Sequence, residues 1–155
     1  AGAPNIEEKY YRKYIPEGID VEIVFGKTYE VLQNSSAALV TSGTATLETA
    51  ILRVPQVVCY YTACGKFVSF LRKHLLKVPY ISLVNLVANK EVVTELVAHL
   101  MNVDNVKKEL ADILPSGSKR QQMLEDYEEM NRILGGAGAS ERAAKAMIET
   151  LSKNR

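Results

Sequence analysis

Two apolar runs separated by one helical segment constrain the fold of this 155-residue chain more than any other feature. The first is Ala37-Ala38-Leu39-Val40-Thr41, and the second is Gln56-Val57-Val58-Cys59-Tyr60-Tyr61. Thr44 to Arg53 lies between them with helical character, and Pro55 precedes the second run. A nearly continuous apolar run of this length suits a strand covered on both faces. Two such strands joined through a helix read as a parallel pair with a crossover connection.

The alternation continues on either side. Asn5 to Ile15 reads as a helix ended by Pro16-Glu17-Gly18. Val21 to Phe25 reads as a short strand ending at Gly26, and Thr28 as the cap of a helix to about Asn34. Gly65 to Lys77 reads as helix, and Pro79-Tyr80-Ile81-Ser82-Leu83 as a further short strand closed by Val84-Asn85-Leu86. This order predicts an α/β fold with a doubly wound, mostly parallel sheet. The last third is helical. Asp104 is positioned to cap a helix with Val106, Leu110, Ile113 and Leu114 on one face. A longer helix to Leu134 turns Met123, Tyr127, Met130 and Leu134 inward. Gly135 and Gly136 read as a helix C-cap and linker, dividing residues 1–134 from a 135–155 tail. In that tail Ser140 caps a helix with an Ala144, Met147, Ile148, Leu151 stripe. Ala1-Gly2-Ala3-Pro4 resembles the end of a strand running into a turn, which suggests that a first strand is lacking.

Bulk composition excludes several classes. Lys plus Arg number 19 and Asp plus Glu 18, a net charge of +1 that gives no electrostatic case for nucleic-acid binding. Cys59 and Cys64, five apart without clustered histidines, are not a zinc pattern and read as small hydrophobes of a reducing compartment. No apolar run approaches the ~20 residues needed to span a bilayer. His74 and His99 read as surface or packing residues.

Chemistry concentrates at Ser42-Gly43-Thr44-Ala45-Thr46-Leu47-Glu48, where a strand ends and a helix begins. The first helical turn has backbone N–H groups without intrahelical partners and the positive end of the dipole, so it attracts phosphate. Glu48, four residues after Thr44, lies one turn deeper on the same face. It would repel phosphate but could accept hydrogen bonds from a ribose diol. The same residues also serve purely structural ends, with Gly43 for the turn and Thr44 as a cap. Ligands of doubly wound sheets sit at the carboxyl ends of strands. Gly26, Ser42-Gly43 and Asn85 all fall at expected strand ends, which favours the nucleotide reading.

At this heptad the chain resembles the bacterial lipid-A-disaccharide synthase family. The resemblance continues in order through Pro55-Gln56-Val57-Val58 with Tyr60, then Tyr80-Ile81-Ser82-Leu83-Val84-Asn85-Leu86-Val87-Ala88, then Glu91-Val92-Val93-Thr94-Glu95-Leu96. It covers roughly Phe25 to the C-terminal helix. Val84 stands where the family pattern has Pro, and Thr62-Ala63-Cys64-Gly65 also departs from it. The resemblance implies the C-terminal, Rossmann-like half of a two-domain B-type glycosyltransferase. The implied donor is UDP-2,3-diacylglucosamine and the acceptor 2,3-diacylglucosamine 1-phosphate. The UDP-sugar is a substrate, and neither cofactor nor metal is implied. The catalytic base would lie in the other, N-terminal domain. A cytoplasmic location, peripheral on the inner face of the inner membrane, follows from the lipid substrates, and a homodimer is compatible.

Carried onto these residues, Ser42, Gly43, Thr44, Ala45 and Thr46 would hold the diphosphate, with Gly26 beside them. Glu48 would accept from the ribose and Asn85 would orient sugar or phosphate. Glu91 and Glu95, four apart, read as one helical face. Paired carboxylates invite an acid–base reading; Glu91, the nearer to the expected cleft, joins the donor-binding residues, and a solvated face beside Lys90 is the plainer account of at least one of the two. Lys66, Phe67, Phe70, Arg72 and Lys73 form a basic amphipathic stretch suited to a membrane interface, or to core packing with a basic edge. Two other functions share these motifs: a UDP-sugar transferase acting on a peptidoglycan precursor, and a non-catalytic nucleotide-binding module.

Overall fold

The computed structural model describes residues 1–41, 43–61, 80–136 and 138–153. The sheet has three parallel strands in the order β1-β2-β3: β1 Ala38–Val40, β2 Gln56–Tyr60 and β3 Glu95–Val97. The central β2 is buried from Gln56 through Cys59, which is why its sequence does not alternate. Burial also pushes the Cys59 thiol pKa up, so the sulfur behaves as a small apolar group.

Helix α1 is Glu8–Arg12 and α2 is Thr28–Gln33, while α3, Gly43–Ile51, joins β1 to β2. Helix α4, Leu83–Ala88, precedes β3, and a 3-10 turn, Ala98–Leu100, leads to α5, Val103–Ile113. Helices α6, Arg120–Leu134, and α7, Ala139–Lys153, complete the order. Adjacent residues identify the two layers. Glu95 turns toward Asn85 of α4, whereas Thr94 donates to Glu109 of α5 at 2.8 Å. Successive side chains point to opposite faces, so α4 and α5 cover opposite sides of the sheet. Helices α3, α4 and α6 contact one another. The core joins Ala50, Val57, Val58, Val84, Val93, Ile113, Met123, Tyr127 and Met130. The inward face expected on α6 is present, with Leu134 partly buried.

Several expectations need correction. The Asn5–Ile15 helix is only Glu8–Arg12. Val21 to Val24 forms no strand; Phe25 alone makes a parallel bridge, to Gly2. A strand needs a partner along its length, and the segment at Ala1–Ala3 is too short to supply one. Tyr80 to Leu83 is not a strand either. Ser82 caps α4 by accepting from Asn85 N, so Val84, Asn85 and Leu86 are helical. Glu91 and Glu95 do not share a helix, because Glu95 opens β3, paired with Val58. Thr28 is the first residue of α2 rather than its cap, and Asn102 rather than Asp104 caps α5. Ser140 lies inside the first turn of α7.

Gly135 ends α6 in the left-handed region at φ 76°, as a C-cap glycine does. Beyond it, Met147, Ile148 and Leu151 of α7 are 66, 67 and 71% exposed. The apolar stripe is therefore real and covered by nothing among the described residues. The Gly65–Lys77 helix, with Lys66, Phe67, Phe70, Arg72 and Lys73, lies outside the described residues.

Candidate functional site

Helix α3 starts three residues after β1 ends, at the carboxyl edge of the sheet. Ser42 lies outside the described residues. The first turn of α3 contains no acidic side chain to offset its dipole. A Cβ added to Gly43 would meet nothing within 4 Å among the described residues, so on their side that backbone is open to approach. Thr44 is exposed and Ala45 half-buried. Thr46 differs: it is fully buried, and its hydroxyl donates to Gly43 O at 2.6 Å. Thr49 likewise donates to Ala45 O at 2.7 Å. Thr46 therefore braces the turn from inside, and the outward groups are the amides and the Thr44 hydroxyl.

Glu48 is half-buried, and its carboxylate makes no hydrogen bond or ion pair among the described residues. Five residues at 1.5 Å rise put it about 7.5 Å along the axis from Gly43. It lines a cavity of 500 Å³ together with Thr28, Thr41, Ala45 and Thr49. It also borders a smaller one of 250 Å³ beside Tyr29, Gln33, Ile51 and Leu52. Gly26, at φ 70°, lies two residues before Thr28 and is not part of the larger lining. Its left-handed backbone turns the chain into α2, a conformation most residues resist. The sequence offers Thr28 as a helix cap and Thr41 as a strand end, but neither as a site residue. Their only signal is position, each just past the end of an extended segment.

Ala37–Thr41 and Ala1–Pro4 line the larger cavity together with residues of α2 and α3. Ala38 N donates to Pro55 O at 2.8 Å, toward β2. In that parallel register the N–H and C=O of Leu39 point the other way, into the gap. Leu39 is 50% exposed. The cavity is thus bounded by a strand edge that no described residue pairs with.

The remaining site residues lie elsewhere. Asn85 has no exposed surface, and both ends of its amide are used. Oδ1 accepts from Val92 N at 2.8 Å and Val93 N at 2.9 Å. Nδ2 donates to Val93 O at 2.9 Å and to Glu95 Oε1 at 3.0 Å. It could reach a ligand only by giving up bonds that hold β3 in register. Glu91 is exposed and precedes β3, and β3 runs parallel to β2. It therefore falls at the amino end of the sheet, opposite Gly43. There it borders a 350 Å³ cavity with Thr94, Lys119, Gln122 and Asp126. Glu95 accepts from Ile81 N, Ser82 N, Ser82 Oγ and Asn85 Nδ2 at 2.8–3.0 Å. Its negative charge, after burial, holds the Tyr60 phenol pKa up.

The comparisons fit this geometry. Residues 3–149 match the family described as lipid-A-disaccharide synthetase. The chain belongs to the lipid-A-disaccharide synthase family. Over 154 residues it is 34% identical to the lipid-A-disaccharide synthase of Myxococcus xanthus, covering 99% of this chain and 40% of that protein. The Syntrophus aciditrophicus synthase is 35% identical over 134 residues, 86% of this chain and 34% of the relative. That of Psychromonas ingrahamii is 33% identical over 144 residues, 93% of this chain and 36% of the relative. The chain thus spans 34–40% of the length of these three relatives. The parallel sheet with its flanking helices is consistent with the α/β fold of this family.

Proposed function

We propose that this chain is the donor-binding part of a glycosyltransferase of lipid A biosynthesis. It binds UDP-2,3-diacylglucosamine for transfer to 2,3-diacylglucosamine 1-phosphate. The observation that carries this reading is the first turn of α3 together with the Glu48 carboxylate further along the same helix, which has no partner among the described residues. Amides of Gly43, Thr44 and Ala45, with the Thr44 hydroxyl, hold the diphosphate. As the glycosidic bond breaks, negative charge grows on the leaving phosphate, and fixed N–H dipoles stabilise it without reorganisation. Glu48 accepts from the ribose hydroxyls. Asn85 acts through the backbone it holds rather than by touching the sugar.

The acceptor hydroxyl must lose a proton, and the base comes from the N-terminal half that the family's two-domain cleft requires. The 500 Å³ cavity beside β1 has the position to accept this domain's own first strand. The exposed stripe of α7 offers a surface for the N-terminal half. The enzyme works at the inner face of the inner membrane as a peripheral protein, for its substrates are lipids. Among the described residues no helix is long and apolar enough to cross a membrane. The 155-residue chain is accordingly expected to bind UDP and to transfer no sugar. Substantial turnover by the purified chain would overturn the split-site account.

The ribose assignment has its own test by calorimetry. Glu48→Ala should weaken UDP binding by ~1–3 kcal/mol, the scale of charge-assisted hydrogen bonds. The same substitution should leave 2′,3′-dideoxy-UDP binding nearly unchanged, because that ligand lacks the hydroxyls Glu48 contacts. Equal weakening of both ligands would remove Glu48 from the ribose.

A further inference from the structure

Gln56 opens the most buried strand of the fold, in a run whose next three residues are Val57, Val58 and Cys59. Its side chain is fully buried, and Oε1 has no hydrogen-bond partner among the described residues. An apolar residue of similar volume would fill the position without leaving an acceptor desolvated. Buried polar atoms without partners are rare enough in proteins to call for a reason.

The other end of the amide supplies one. Nε2 donates to Thr46 O at 2.9 Å and lies 3.3 Å from the Tyr127 hydroxyl. Thr46 is the fourth residue of α3, Tyr127 is a fully buried residue of α6, and Gln56 belongs to β2. Three elements therefore meet at one amide. In the same turn, Thr46 and Thr49 hydroxyls engage Gly43 O and Ala45 O. The carbonyls of Gly43, Ala45 and Thr46 are thus all held from the protein side. Among the described residues nothing comparable holds the amides of that turn, which are the groups left for a ligand.

We propose that Gln56 is a positioning residue for the phosphate-binding turn. By tying Thr46 O to β2 and α6 it sets the direction in which the Gly43, Thr44 and Ala45 amides point. The proposal rests on reading the start of α3 as the diphosphate site, but the geometry it invokes exists without ligand. Tyr127 acts through Gln56: its hydroxyl restrains the amide, and its ring packs in the core.

The test uses the 155-residue chain, UDP as probe, and three variants: Gln56→Met, Tyr127→Phe and the pair. Methionine keeps the volume and removes both the donor and the unpaired acceptor, so the urea midpoint should stay level or rise. UDP affinity should nevertheless fall about tenfold, because small misplacement of preorganised donors is costly. Tyr127→Phe should cost less, and should cost nothing further once Gln56 is gone. A merely structural Gln56 would lower stability and affinity in proportion; that result, or unchanged affinity in Gln56→Met, overturns the proposal. Amide NMR shifts of the unliganded chain separate this from failure of the nucleotide reading. Gln56→Met should move the Gly43, Thr44 and Ala45 resonances and leave α5 in place. If wild type binds no UDP, those shifts decide: moved resonances support the positioning role, unmoved ones overturn it.

Discussion

Asn85→Ala should destabilise the fold by ~3–4 kcal/mol, an effect large enough to unfold much of the population under mild denaturant. The side chain has no exposed surface and makes four hydrogen bonds. Alanine would leave Val92 N, Val93 N and Val93 O without these partners, in a buried setting where each unsatisfied group costs ~1–3 kcal/mol. The costs do not simply add, since a water could enter the vacated space and repay part of them. Asn85→Asp tests whether the donor end matters. It keeps an acceptor for the two amides but sets a second oxygen against Val93 O and the Glu95 carboxylate. It should be as damaging as alanine near neutral pH. Urea unfolding with a constant slope measures both variants. A loss under ~1 kcal/mol for alanine would mean that solvent replaces the amide.

The reason Asn85 was misplaced by sequence reasoning is physical. Tyr80-Ile81-Ser82-Leu83 has strand composition, and a short apolar run carries no period that separates strand from helix. What decides its structure is Glu95, whose carboxylate accepts the Ile81 and Ser82 amides from 14 and 13 residues away. Those amides would otherwise look for a neighbouring strand. Glu91 and Glu95 misled in the converse direction. Their four-residue spacing suits a helix, yet Val92 and Val93 are β-branched and β2 needs a partner on its second edge. Long-range pairing overrode the local pattern.

Local features were legible. The β1–α3–β2 unit reads directly from two apolar runs and a helical segment, and α6 from its Met123, Tyr127, Met130 spacing. Gly43, Thr44 and Glu48 stand on one helix, so their relation follows from helical geometry alone. Thr46 sits on the same helix but faces inward, and spacing without a known inner face could not say so. Gln56 announced itself only as an amide opening an apolar strand, and its partners Thr46 and Tyr127 are 10 and 71 residues away.

Glu95→Ala is the second large effect, expected at about 3 kcal/mol, because charge-assisted hydrogen bonds are the stronger kind. The carboxylate receives two backbone amides, a hydroxyl and the Asn85 amide, which fastens the start of α4 to the start of β3. Ile81 is exposed, so water can take over at that donor, whereas Ser82 and Asn85 are buried and have no such recourse. Glu95→Gln separates charge from shape. Its carbonyl can still accept, but its NH2 faces donors, so it should recover only part of the loss. Since Asn85 and Glu95 share one bond and one network, the double alanine variant should lose less than the sum of the single losses, by ~1 kcal/mol or more. Strict additivity would mean that the two side chains stabilise separate parts of the fold, and that the carboxylate does not hold Asn85 in place.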